Sequence, residues 1–102
     1  MYEYRNPYIL DFRNIQYYGD VHKIIKEALD FPDYYGENWD AFWDCLTDMV
    51  GRPMNIKIYG LDILGRKFNG EDKILLDILE ELRHWCDEQF FNDISIEIMQ
   101  DK

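Results

Sequence analysis

Short β-prone runs alternate along this chain with longer segments whose apolar residues recur at helical spacing. The runs at 8–12, 54–59 and 94–98 have the continuous or alternating apolar character of strands. The segments between them are long enough to contain helices, and helical crossovers are the usual connections between parallel strands. The pattern predicts an α/β domain with a small three-stranded parallel sheet packed with three main helices.

Each predicted helix is bounded by local signals. Asp20 is the expected N-cap of the first helix, which should end near Phe31 because Pro32 disfavours helical geometry in the preceding residue. Asn38 is the expected N-cap of the second helix. The predicted helices span 20–31, 38–50 and 71–88, with one further helical turn at 61–64.

The chain has 102 residues, so a single domain is predicted over 1–102, with an irregular lead-in over 1–7. It carries 11 basic and 21 acidic residues, for a net charge of −10. This balance argues against binding to nucleic acid or to an anionic membrane, both of which require basic residues. On charge alone, acidity that serves solubility is the simpler interpretation, and a basic protein partner is the alternative.

The N-terminal residues do not have the basic and then apolar pattern of a signal peptide, and no apolar run is long enough to cross a bilayer. Cys45 and Cys86 both fall in apolar helical patterns. Buried thiols in a reducing compartment are therefore expected, rather than a disulfide or a metal site. These features predict a cytoplasmic protein.

The second helix carries a row of carboxylates on one face. At about 100° per residue, Asp44, Glu37 and Asp48 lie within about 80° of Asp40. No Lys or Arg occurs between Leu29 and Gly51 to neutralise this row, although like charges four residues apart destabilise a helix. The row is either a solvated face or a surface whose cations come from a partner. The opposite, core-facing side is predicted to carry Trp39, Phe42, Leu46 and Met49.

Aromatic residues flank this acidic row. Tyr34 and Trp43 each combine a large aromatic ring with a hydrogen-bonding group, as is typical of interface residues. Tyr35 is expected instead to cover the edge of the sheet.

The segment from Phe31 to Thr47 contains the string YYGENWDAFWDCLT, which closely resembles the signature of barstar, the intracellular inhibitor of the ribonuclease barnase. The resemblance covers most of the chain beyond the first seven residues. It implies a protein that plugs a ribonuclease active site with its second helix and the preceding loop. The implied partner is a basic, barnase-like ribonuclease. We further expect a protein that is monomeric when free and uses no cofactor.

The resemblance also implies roles for individual residues. Asp44 is similar to the central aspartate that occupies the substrate-phosphate site, Asp40 to a second interfacial aspartate, and Tyr34 to the aromatic residue stacked on the catalytic histidine. Glu81, with Glu80 as an alternative, resembles a more distant contact on the long helix. The remaining residues of the implied partner-binding surface are Gly36, Asn38, Trp43 and Thr47. Asp48 is added to the predicted surface because it belongs to the acidic row.

The chain departs from the family pattern at four positions. Trp39 and Phe42 replace smaller aliphatic residues, and Asp48 and Met49 stand where the pattern has a glycine and a tryptophan. The added charge of Asp48 and the lost tryptophan bear on which ribonuclease is the cognate partner.

Two other functions compete with ribonuclease inhibition. Asp40 and Asp44 could be paired catalytic carboxylates or ligands of a hard cation, but no nucleophile arrangement, phosphate loop or metal motif accompanies them. His22 and His84 are expected to be ordinary surface or boundary residues, and we predict that the chain is not an enzyme. The same fold could also bind a different basic protein, because a fold alone does not determine a function.

Overall fold

A computed structural model describes residues 3–49, 54–88 and 94–99. Within these residues the chain forms a three-stranded sheet and four helices, which confirms the predicted α/β class. In chain order the elements are β1 (Tyr8–Asp11), α1 (Asp20–Leu29), α2 (Trp39–Met49), β2 (Met54–Tyr59), α3 (Leu61–Lys67), α4 (Glu71–Glu88) and β3 (Ile94–Met99).

The sheet is parallel throughout, in the order β1–β2–β3. Ile56, at the centre of β2, is in register with Tyr8 of β1 and Ile96 of β3. Side chains alternate between the faces of a strand, and in parallel strands paired positions point to the same side, so the buried strand residues share one face. They are Tyr8, Leu10, Met54, Ile56, Ile58 and Ile94. On β2 this alternation is complete, with Met54, Ile56 and Ile58 buried.

The helices cover the apolar face of the sheet with residues spaced three and four apart. These positions fall on one side of a helix, which therefore becomes the buried side. The buried helical residues are Val21, Ile25 and Leu29 of α1, Phe42, Cys45 and Leu46 of α2, Leu61 and Leu64 of α3, and Leu75, Leu79, Leu82 and Cys86 of α4. Both cysteines are buried, as predicted.

Helix α1 differs from its predicted limits at both ends. Gly19 is its N-cap, and Asp20 is its first residue. The Asp20 carboxylate accepts a hydrogen bond from the backbone N–H of Tyr17, 3.1 Å away, in the turn before the helix. The helix ends at Leu29, earlier than predicted, because Asp30 adopts a left-handed conformation with φ of 53°.

The segment after β2 is more helical than predicted, since α3 has seven residues where one turn was expected at 61–64. It starts directly after Gly60, whose φ is 74°. A Cβ atom at Gly60 would lie 2.6 Å from the backbone nitrogen of Arg13. Only glycine fits this tight passage between the end of β2 and the loop after β1.

The limits of the other elements are close to those predicted. The predicted 38–50 helix is α2, although Val50 and the expected terminating residue Gly51 lie outside the described residues. Strand β2 and helix α4 have their predicted bounds, while β1 ends one residue early and β3 extends one residue further. Within the described segments, no helix has both the length and the apolar character needed to span a membrane.

Candidate functional site

Asn38 fixes the start of helix α2. Its Oδ1 accepts a hydrogen bond from the backbone N–H of Ala41 at 2.8 Å, which confirms it as the N-cap. Its Nδ2 donates to the carbonyl oxygen of Gly36 at 3.2 Å. One side chain therefore ties the exposed loop at Gly36 to the first turn of the helix that carries the carboxylates.

The buried side of α2 determines which side faces solvent. Phe42 and Leu46 have no exposed surface, so the opposite side, with Asp40, Asp44 and Asp48, is exposed. The last turn of α2 contains no basic residue. In the described part of the chain, neither Asp40 nor Asp44 forms an ion pair. This outer side is a row of three aspartates, one per helical turn.

Glu37 does not belong to this helical row, contrary to the helical-wheel prediction. Helix α2 begins at Trp39, and Glu37 lies before it with a left-handed φ of 53°. Its backbone therefore cannot continue the helical rotation that placed it beside Asp40. Three carboxylates, rather than four, share the helical face.

A groove of about 440 Å³ lies where α2 faces α4. Its α4 side includes Glu81, which thus lies on the same groove as Asp40 and Asp44. Glu80, the alternative assignment, instead pairs with Arg83, with an Nη1–Oε1 distance of 3.1 Å. The residues lining the groove are Trp39, Asp40, Trp43, Asp44, Ile78 and Glu81.

Trp43 and Thr47 are half-buried on the flank of the helix. Trp43 packs edge-to-face against Trp85 of α4, with ring centroids 6.3 Å apart. The Thr47 hydroxyl donates a hydrogen bond to the backbone carbonyl oxygen of Asp44 at 2.9 Å. Both contacts hold the side chains beside Asp44 in defined positions.

The two adjacent tyrosines before α2 have opposite environments. Tyr34 is 71% exposed, whereas Tyr35 is 5% exposed and packs against Phe31 at 4.9 Å between ring centroids. Burial raises the pKa of the Tyr35 hydroxyl. Tyr34 is therefore the residue of the pair that projects from the loop.

His22 is buried, so its prediction as a surface or boundary residue is wrong. It is 4% exposed, and its Nδ1 is hydrogen-bonded to the Tyr35 hydroxyl at 2.6 Å. Its ring also lies 4.6 Å from that of Trp39. The spacing of His22 three residues before Ile25 and seven before Leu29 was a signal for the buried face of α1. Burial lowers the pKa of His22, and the negative charge of Glu71 opposes this shift.

Glu71 is a further residue of this region that sequence reasoning missed. It is the first residue of α4, and its carboxylate accepts hydrogen bonds from Trp39 Nε1 at 2.6 Å and from the Tyr18 hydroxyl at 3.1 Å. Burial, together with the Glu71 contact, raises the pKa of Tyr18. No local sequence pattern indicates a bond between residues 32 positions apart.

Comparison with known proteins identifies the family of this chain. Residues 6–97 match the family model described as "Barstar (barnase inhibitor)". The chain belongs to the barstar family. A protein of Bacillus subtilis (strain 168) named "Putative ribonuclease inhibitor YrdF" is 34% identical over 80 residues, covering 78% of this chain and 85% of that protein.

Membership in the barstar family accounts for the fold and the class of activity. The three-stranded parallel sheet and four helices of the described residues are consistent with a barstar fold. Barstar-family inhibitors are binding proteins, which confirms the prediction that this chain is not an enzyme. The described residues contain no group of three or more His, Cys, Asp or Glu side chains arranged to hold a metal ion.

Proposed function

We propose that this barstar-family protein inhibits a barnase-like ribonuclease by inserting the outer face of α2 and the loop before it into the enzyme's basic active site. The single observation that carries the proposal is the exposed aspartate row of α2, with Glu81 on the same groove. This face has a dense negative charge, and Asp40 and Asp44 have no ion pair within the described residues.

The chemistry of the proposed contact is substrate mimicry. A ribonuclease positions cationic donors to hold phosphate and to stabilise the charge that develops in its transition state. Carboxylates on a rigid helix can accept hydrogen bonds from those donors while offering no phosphodiester bond to cleave. We assign the substrate-phosphate site to Asp44 and a neighbouring cationic site to Asp40.

The surroundings of the aspartates support a preformed surface. The Asn38 cap fixes the first turn, and the Thr47 and Trp43 contacts fix the flank around Asp44. Side chains that are already ordered lose less conformational entropy when a partner binds. Tyr34, exposed beside this surface, is proposed to stack on an enzyme side chain.

The proposal is tested by titrating a barnase-like ribonuclease with the purified protein and with its Asp44→Ala variant. We expect the wild type to inhibit, and Asp44→Ala to weaken inhibition by about 30-fold or more, since hot-spot truncations cost at least about 2 kcal/mol. Asp40→Ala should be the next most harmful substitution. Circular dichroism should show unchanged folds, because both side chains are exposed.

Asp62→Ala is a matched control, because Asp62 is an exposed aspartate on α3 and the substitution changes the net charge equally. It should inhibit like the wild type. Equal losses for Asp44→Ala and Asp62→Ala would reduce the role of Asp44 to general charge. Absence of inhibition by the wild type would overturn the proposal and direct the search to a different basic protein.

A further inference from the structure

We infer that Glu71 is a positioning residue for the partner-binding surface, because it holds the Trp39 indole in place as one wall of the groove between α2 and α4. This inference rests on the proposed function for its effect on inhibition. Glu71 itself is not among the side chains that line the groove, whereas Trp39 is. We therefore expect Glu71 to affect the shape of the groove through Trp39, to which it is hydrogen-bonded.

The contact between Glu71 and Trp39 is strong by its chemistry. An indole N–H can only donate, and an ionised carboxylate is the better kind of acceptor for it. Their separation of 2.6 Å is short, and the contact is partly buried. The second carboxylate oxygen accepts from the Tyr18 hydroxyl at 3.1 Å, which restricts rotation of the carboxylate plane.

The position of this contact allows it to affect the geometry of the groove. Trp39 is the first residue of α2 and directly precedes Asp40, while Glu71 is the first residue of α4, the helix that carries Ile78 and Glu81. The bond therefore joins the N-terminal ends of the two helices that form the groove. Fixing this end limits the relative movement of Asp40 and Glu81 on opposite walls.

Other neighbours hold the body of the Trp39 ring but do not satisfy its N–H. The ring packs edge-on against His22 at 4.6 Å and against Phe42 at 5.6 Å between centroids. These ring contacts pack the Trp39 ring without selecting its rotation as a hydrogen bond does. The carboxylate of Glu71 thus supplies the directional restraint.

Inhibition constants for Glu71→Ala, Glu71→Gln, Trp39→Phe and the Glu71→Ala/Trp39→Phe double variant test this inference at fixed salt. We expect Glu71→Ala to weaken inhibition by about tenfold, as for loss of a hydrogen bond to a charged group. Glu71→Gln should restore most of it, because the amide oxygen still accepts from the indole. The two Glu71 variants carry the same charge, so their difference excludes a simple electrostatic effect.

The double variant should inhibit as well as whichever single variant is the poorer inhibitor, because Glu71 acts through the Trp39 N–H. Residues coupled in this way give non-additive effects in a double-mutant cycle. A residue that only stabilises the fold would leave inhibition unchanged while the protein stays folded. Additive losses, or equal inhibition by Glu71→Ala and Glu71→Gln, would overturn the inference.

A measurement on the partner-free protein separates this inference from the proposed function. In ¹⁵N NMR spectra, with the Trp39 indole signal assigned from Trp39→Phe, Glu71→Ala should shift and mobilise that signal more than those of Trp43 and Trp85. An unchanged, equally rigid Trp39 signal would overturn the inference. If the signal loosens but the wild type fails to inhibit the ribonuclease, the proposed function fails and the positioning of the groove wall stands.

Discussion

At the scale of single residues, Tyr34 and Tyr35 offer a direct comparison of surface and core roles. Tyr34→Ala removes a 71% exposed ring, so the free energy of unfolding should change by no more than about 0.5 kcal/mol. Inhibition should nevertheless weaken by about tenfold or more, as for an aromatic interface anchor. Urea unfolding and inhibition titration measure the two effects separately.

Tyr35→Ala is the matched variant and should show the reverse order of effects. It empties a buried site and leaves His22 without its hydroxyl partner, so it should destabilise the protein by about 3 kcal/mol or more. A stability loss for Tyr34→Ala as large as that for Tyr35→Ala would contradict the exposed placement of Tyr34.

At the scale of structural elements, the start of α2 depends on one side chain. Asn38→Ala removes the 2.8 Å bond to the Ala41 N–H and should lower the free energy of unfolding by about 1 kcal/mol. Asn38→Ser keeps a capping oxygen and should lose much less. Urea unfolding of both variants checks the prediction, and equal losses would show that the cap bond contributes little.

The elements themselves were largely predictable from sequence because each has a strong local signal. Alternation of apolar residues predicted β2, and the long apolar stripe predicted α4. The first residue of α1 was less predictable because Asp20 makes a turn contact instead of a capping bond. Lys67, in the part of α3 that was not predicted, donates from its Nζ to the carbonyl oxygen of Ile15 at 2.8 Å, a contact between distant parts of the chain.

The same distinction applies to the candidate site. Helical periodicity predicted the Asp40, Asp44 and Asp48 row, since those residues lie four apart on one helix. The link from Glu71 to Trp39 joins two helices, and His22 of α1 is buried against Tyr35 of the loop before α2. Contacts of this kind require the tertiary arrangement, which a single sequence does not display as a pattern.

At the scale of the whole molecule, His22 should make stability depend on pH. Its buried site, facing Tyr35, Trp39, Glu71 and Glu37, has a lowered pKa, so the unfolded chain binds a proton more readily than the folded one. The free energy of unfolding should therefore fall as the pH drops below about 6.5, the ordinary histidine pKa.

Urea unfolding between pH 7.5 and 5, at about half-unit steps, measures this dependence, which is expected in the range where unfolded histidine titrates. His22→Gln should flatten the slope, whereas His84→Gln, at an exposed site, should retain it. The pKa of Asp11 is lowered by its hydrogen bond with Arg13, and that of Asp30 by its hydrogen bond from the Glu3 N–H. The stability that these two groups contribute is lost only below about pH 4, outside this pH range. A slope that persists in His22→Gln would exclude His22 as its source.

The net charge of −10 should act mainly on the rate of association with a basic partner. Raising NaCl from about 50 to 500 mM should lower the association rate constant by about tenfold or more, because salt screens attraction over distance. The dissociation rate should change much less. Stopped-flow measurements with the proposed ribonuclease distinguish the two rates, and a salt-independent association rate would contradict electrostatic steering.

The aspartate row of α2 also implies a trade-off between the stability of the free protein and its affinity for a partner. Each repulsion between neighbouring turns raises the free energy of the unbound helix by a few tenths of a kcal/mol. Neutralising Asp44 as Asp44→Asn should therefore make the free protein slightly harder to unfold while removing its proposed central contact. The unbound helix is locally frustrated, and binding of the proposed cationic partner would relieve that frustration. Selection for stability alone would erode this face, whereas selection for binding would maintain it.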